Sequence, residues 1–214
     1  MRIIIDIEAN RLENPDKIWV IQCYDIDKDE WHVFRPETAI GDRQRFLEFS
    51  SQDIHWIGHH LLGYDLPVLL NLGYLDDIQV SSVTDTLVVS RLVDYPRTGH
   101  SLEDYGEEFG VAKVQNEDWS QLTDNMIKRC QVDVEINYKV YLKYQKYIEG
   151  EQWQRALRIE HSTALMCKEL HNNGFRFDID RGRSLLADYQ AEIKGLEDRV
   201  REVFKPRYRL IREI

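Results

Sequence analysis

Three short stretches of the chain carry the residue types and spacings that chemistry would use. Asp6-Ile7-Glu8 closes an apolar run that begins at Arg2. On a strand, residues i and i+2 share a face, so both acids project together while Ile7 turns into the core. Two carboxylates on one face repel unless a cation lies between them, and hard divalent ions such as Mg²⁺ or Mn²⁺ favour such oxygen-rich surroundings. The plainer alternative is a strand end emerging into solvent. The second stretch is Gly58-His59-His60-Leu61-Leu62-Gly63-Tyr64-Asp65. An apolar strand closes at Gly58 and Asp65 stands where a helix begins, at the carboxyl edge where open α/β sheets gather ligands. An ordinary helix cap is the alternative. Neither i,i+4 spacing nor a cysteine partner makes His59 and His60 a zinc pair. The third stretch holds Asp133, flanked by the apolar Val132, Val134 and Ile136 and so read as facing inward. A buried carboxylate is costly unless paired or metal-bound. Arg129, one turn earlier, offers an i,i+4 ion pair instead.

The elements that must position these groups begin with strands. Arg2–Ile7 is one. Lys17–Tyr24 and Glu30–Arg35 form an antiparallel hairpin around the polar turn Asp25–Asp29. A helix over Arg43–Ser50 and a buried strand over Ile54–Gly58 follow. The pattern then alternates: helix at Leu66–Leu72, strand at Ile78–Thr84, and a helix over Asp85–Val93 capped by Thr84 or Asp85. Ser101 opens a helix with Leu102, Tyr105 and Phe109 at helical spacing. Gln121–Tyr147 reads as one long helix on the period of Ile127, Val134, Tyr138, Tyr141 and Tyr144. Strands first and strand–helix alternation after them imply a mixed sheet flanked by helices. Beyond Glu149-Gly150-Glu151 come two helices, about Gln152–Asn172 and Arg181–Phe204, the second capped by Asp178 or Asp180. The expected organisation is a domain over 1–149 and a helical segment over 150–214.

Lys+Arg 28 against Asp+Glu 38 gives a net charge of −10. The acids concentrate in residues 1–175, with a net of −12, while residues 176–214 carry +2. Such a body argues against nonspecific nucleic-acid binding by counterion release, but not against an enzyme that meets a phosphate backbone through metal ions. The apolar runs are too short to cross a bilayer, and Asp6 interrupts any leader-like start. Cys23, Cys130 and Cys167 are far apart and imply neither a disulfide scaffold nor a zinc site. A cytoplasmic protein without a membrane partner is expected.

Taken in order, D-x-E on a first strand, a (His/Asn)-x-x-x-Tyr-Asp loop and an Asp on a late helix resemble the three motifs of the DEDD 3′–5′ exonucleases. More closely they look like the proofreading domain of family A DNA polymerases, especially those of bacteriophages. Thr84-Asp85-Thr86-Leu87 through Arg91-Leu92 and Gly99-His100-Ser101-Leu102-Glu103 are similar to further elements of that family. These motifs span residues 1–145. Ile159-Glu160-His161, Leu165, Glu169, Asn173-Gly174 and Phe177-Asp178 resemble the stretch joining exonuclease to polymerase.

The resemblance implies an RNase H-like fold with a mixed five-stranded sheet, followed by a helical extension. It also implies two-metal hydrolysis of a phosphodiester. Asp6, Glu8, Asp65 and Asp133 would hold two Mg²⁺ or Mn²⁺ ions. Leu12, His60 and Tyr64 would meet substrate, Leu12 as an apolar wedge against the terminal base. Single-stranded DNA or frayed 3′ ends would be the ligand, and a DNA polymerase domain in cis or in trans the partner. Polymerase activity is not expected from these 214 residues. Two positions depart from the family: His60 where it usually has Asn, and Arg129 where it has the Tyr that orients the attacking water. A guanidinium cannot act as a base, so Arg129 would instead pair with Asp133 or neutralise charge at the scissile phosphate. It favours an alternative: a weak or inactive exonuclease-fold module that binds 3′ ends or a polymerase partner.

Overall fold

In the computed structural model, which describes residues 1–77 and 79–205, a five-stranded sheet lies at the centre of the first compact unit, Met1–Asn172. Its strands are β1 (Arg2–Ala9), β2 (Ile18–Asp25), β3 (Glu30–Phe34), β4 (His55–Gly58) and β5 (Val83–Asp85), in the spatial order β3-β2-β1-β4-β5. β1 runs antiparallel to β2 and parallel to β4, and β4 parallel to β5. A strand covered on both faces needs apolar residues on both, which the four isoleucines of β1 supply. Ile3, Ile5 and Ile7 join the core on one face, beside Phe34, Phe46 and Phe49. Ile4 faces the opposite side with Ile57, Val134 and Tyr141. Period-two alternation therefore sends Asp6 and Glu8 to the face of Ile4.

The helices are α1 (Asp42–Ser50), α2 (Asp65–Asn71), α3 (Thr86–Val93), α4 (Leu102–Phe109), α5 (Asp124–Ile148) and α6 (Gln154–Asn173). The phenylalanines of α1 cover one sheet face. α5 lies against β1 and β2 and also packs with α3 and α4. Ile136, Val140 and Tyr144 of α5 form a core with Val89, Leu102 and Tyr105. Burying each such side chain stabilises by about 1.5–3 kcal/mol.

Two expected boundaries move. The strand expected over Ile78–Thr84 is short, covering Val83–Asp85, because Val80–Ser82 form a 3-10 turn before it. Ile78, and the end of the basic tail from 206, lie outside the described residues. The expected break at 149 falls inside the first unit, which extends to Asn172. The reason is physical: α6 buries Leu157 and His161, and His161 Nε2 accepts the Asp85 backbone N–H at 2.8 Å. The second unit, from Asn173, contains α7 (Ile179–Val203), whose N-terminus is capped by Asp178 accepting from the Arg181 N–H at 2.9 Å. No helix among the described residues is long and apolar enough to cross a membrane.

Candidate active site

Asp6 and Glu8 on β1 meet Asp133 on α5. One oxygen from each of these three carboxylates lies within 4.8 Å of the others. The β1–β2 register slips between Glu8 and Ala9, so a bulge follows the second acid immediately; bulges re-aim side chains in this way beside active sites. Asp65 stands outside the tight group but next to it. Its Oδ1 accepts the Ile7 N–H at 3.2 Å, between the two acids of β1. Asp65 is the first residue of α2, and the N-cap position is Tyr64, so Asp65 stands inside the first turn rather than at the cap. The cleft around these groups, about 680 Å³, is also lined by Leu12, His60, Tyr64, Arg129 and Lys113.

Crowding four carboxylates out of water disfavours their charged forms. Burial, then the charges of Asp133, Asp65 and Glu8, pushes Asp6 well above the usual carboxylate range. Burial raises Glu8 to about 7 against the pull of Arg129. Asp65 is raised by burial against the Ile7 N–H, and Asp133 by burial against Lys113. Two buried oxygens, Glu8 Oε1 and Asp133 Oδ1, receive no hydrogen bond. An all-oxygen donor set with unsatisfied buried oxygens suits Mg²⁺ or Mn²⁺, so the residues present fit a divalent ion.

Two cations stand among the acids. Arg129 does not principally pair with Asp133 as its spacing suggested: its Nε is 4.0 Å from Asp133 but 3.1 Å from Glu8 on β1. That contact is an ion pair without hydrogen-bond geometry, which leaves both Arg129 Nε and Glu8 Oε1 without a hydrogen bond. The partner of Asp133 is Lys113, at 3.0 Å. Lys113 escaped the sequence reading because Val111–Gln115 has no periodicity or motif to mark it.

The remaining expected residues fall around the rim. Leu12 is 83% exposed. The Tyr64 hydroxyl donates to the Arg11 carbonyl at 3.0 Å, tying the rim of the cleft to the end of β1. Its hydroxyl is raised to about 12 by burial and then by Asp65. His60 has φ of +62°, in the left-handed region that Asn, Asp and His tolerate better than most residues. Asn and His are thus interchangeable there for a backbone reason. The His60 ring folds over Gly63, where a Cβ would collide with it. His59 is structural: its Nε2 faces the His100 carbonyl at 2.8 Å and its Nδ1 the Thr86 hydroxyl at 2.9 Å. Burial lowers it to about 3, so it stays neutral.

Asp85 holds this rim in shape. Its carboxylate accepts the backbone N–H groups of His60, Leu62 and Leu87, each at 3.0 Å, and of Val88 at 3.4 Å. The side chain caps α3 and fixes the 58–63 loop together, which gives the Thr84-Asp85-Thr86 element a physical reason.

No protein-family model matches the chain, and no curated protein matches its sequence. Among solved structures, Brucella melitensis NrnC is similar at a TM-score of 0.58 and 19% identity, over 83% of this chain and 88% of that one. NrnC bound to pGG matches with the same score and identity, over 81% and 85%, and a further NrnC structure holds bound Mg²⁺. A family B DNA polymerase from Pyrobaculum calidifontis matches at a TM-score of 0.55 and 13% identity, over 80% of this chain and 29% of that one. The chain has a mixed α/β, RNase H-like fold, which these structures share.

Proposed function

We propose that the chain is a divalent-metal-dependent 3′–5′ DNA exonuclease that releases nucleoside monophosphates from 3′ ends. The observation that carries this reading is the convergence of Asp6, Glu8 and Asp133 within 4.8 Å, with two buried oxygens left without donors and Asp65 beside them. The carboxylates would hold two Mg²⁺ or Mn²⁺ ions, whose chemistry is to lower the pKa of a water and to neutralise charge on the phosphoryl group. The chain's own groups orient the rest. Leu12 would lie against the terminal base and His60 and Tyr64 would line the path of the last nucleotide. NrnC structures with Mg²⁺ and with pGG support an ion and a short nucleic-acid ligand on this fold.

The finer reading, a proofreading module of a family A, bacteriophage-type polymerase working with a polymerase domain, rests on the order of the motifs from Asp6 to Asp133 and on the stretch from Ile159 to Asp178. A weak or inactive end-binding module is the second reading, favoured by Arg129 at the position of the water-orienting Tyr. The test is a gel assay on single-stranded and 3′-overhang DNA labelled at the 5′ end, with Mg²⁺, Mn²⁺ or EDTA, beside Asp6→Ala. A metal-dependent ladder shrinking from the 3′ end, absent in the variant, is expected. Binding of the same DNA without cleavage under either metal would turn the choice to the second reading.

A further inference from the structure

We propose that Lys113 is the protein cation that contacts the scissile phosphate, and that Arg129 is the positioning residue that holds it in place; both rest on the nuclease reading. Four carboxylates balance two divalent ions, which leaves the negative charge of the phosphodiester, growing in the transition state, for a cation of the protein. Arg91, Lys113 and Arg129 line the cleft; of these, Lys113 and Arg129 are the two paired with its carboxylates, and their surroundings separate them. Arg129 is committed on three sides. Its Nε lies 3.1 Å from Glu8, its Nη1 donates to the Val114 carbonyl at 3.1 Å, and its guanidinium lies 5.7 Å from the Trp119 ring centre. Lys113 is held by one ion pair, to Asp133 Oδ2 at 3.0 Å, and lines the cleft. An ammonium carries three rotatable donors on a flexible stem. Lys113 can therefore reach a phosphate oxygen that a clamped guanidinium cannot.

The segment around Lys113 is irregular, yet it is pinned. The Val111 N–H donates to the Gly106 carbonyl at 2.8 Å on one side of Lys113, and Arg129 takes the Val114 carbonyl on the other. Further along, Trp19 Nε1 donates to the Trp119 carbonyl at 3.1 Å and the Thr123 hydroxyl to Asn116 Oδ1 at 2.8 Å. Arg129 thus joins β1, α5 and this segment, and fixes the height at which Lys113 enters the carboxylate group. A buried pair kept for stability alone would gain little from such support, since buried ion pairs recover hardly more than their desolvation.

The experiment compares the whole chain with Lys113→Met and Lys113→Arg. Mn²⁺ binding is followed by electron paramagnetic resonance without DNA, and binding of a fluorescent single-stranded oligonucleotide in Ca²⁺ across a salt series. Removing the ammonium from Asp133 is expected to leave Mn²⁺ affinity equal or up to about tenfold tighter, a charge-assisted contact having been deleted. Loss of one phosphate contact should lower the slope of log K against log salt by about 0.7 and kcat by about 100- to 1,000-fold, with Lys113→Arg restoring the slope. If the wild type binds Mn²⁺ and cleaves DNA while Lys113→Met keeps the wild-type slope and kcat, the inference is overturned alone. A wild type that binds no Mn²⁺ overturns the nuclease reading, and this inference with it.

Discussion

Replacing Glu8 by Gln should stabilise the metal-free protein, and only above mildly acidic pH. Burial holds the Glu8 carboxyl at about 7 against an ordinary 4.5. That gap corresponds to about 3 kcal/mol more to carry the charge in the folded state than in the unfolded one. The folded value is the higher, so this stability is present below about 4.5, is lost as pH rises through about 7, and stays lost above it. Glutamine mimics the protonated form and escapes the loss, although Arg129 forfeits its partner at 3.1 Å. A net gain of about 2 kcal/mol at pH 8 in EDTA is expected, a Tm higher by about 4–8 °C for a chain of this size. At pH 5 the difference should shrink towards zero. Saturating Mn²⁺ should reverse the order, because an ion bound only by the folded state stabilises by RT ln(1 + [L]/Kd) and the variant has lost a ligand. Scanning calorimetry at the two pH values, with EDTA and with Mn²⁺, measures all four terms. A variant that melts lower than the wild type in EDTA at pH 8 would refute the reasoning, since Glu8 would then be a net structural partner of Arg129.

Other outcomes follow from the same geometry. Asp6→Ala should remove hydrolysis while leaving Tm in EDTA equal or higher, because it deletes a carboxyl whose charge is opposed by burial and by Asp133, Asp65 and Glu8; calorimetry beside the gel assay checks both. Asp85→Asn keeps one carbonyl oxygen for four backbone N–H donors, so a loss of about 2–4 kcal/mol by urea unfolding is expected. His60→Asn should be nearly neutral and His60→Ile should cost about 1–2 kcal/mol, since a β-branched residue is forced to φ +62°. Arg129→Met should speed amide hydrogen exchange in residues 111–119 more than elsewhere, because the Val114 carbonyl loses its donor.

What could be read from the sequence was what repeats locally. The isoleucines of β1 and the i, i+2 pair Asp6 and Glu8 declare a strand, its burial and its face in eight residues. The apolar residues flanking Asp133 likewise mark it as facing inward, and the structure has it buried on α5. Cross-element choices stayed hidden. Spacing alone favoured Arg129 with Asp133, and only the approach of β1 to α5 turned the guanidinium to Glu8. Lys113 belongs to a stretch without periodicity, so nothing short of the fold could set it against Asp133. The β5 strand is too short for alternation to bound it. The reach of the first unit to Asn172 depends on one buried face of α6, chiefly Leu157 and His161, which a mostly polar helix does not advertise.

The central place of β1 has a consequence for the birth of the protein. The strand precedes the other four in the chain, and its parallel neighbour β4 and its covering helix α5 come far later. The Cys130 thiol, one turn before Asp133, meets the Asp6 carbonyl at 3.3 Å across 124 residues of chain. At about 5–20 residues per second, a ribosome needs several seconds to complete that contact. Through that interval the nascent chain holds a run of isoleucines without its covering helix, and it cannot yet assemble the carboxylate group. The carboxylate group is thus withheld until α5 has been made, and chaperone demand should peak before α5 emerges.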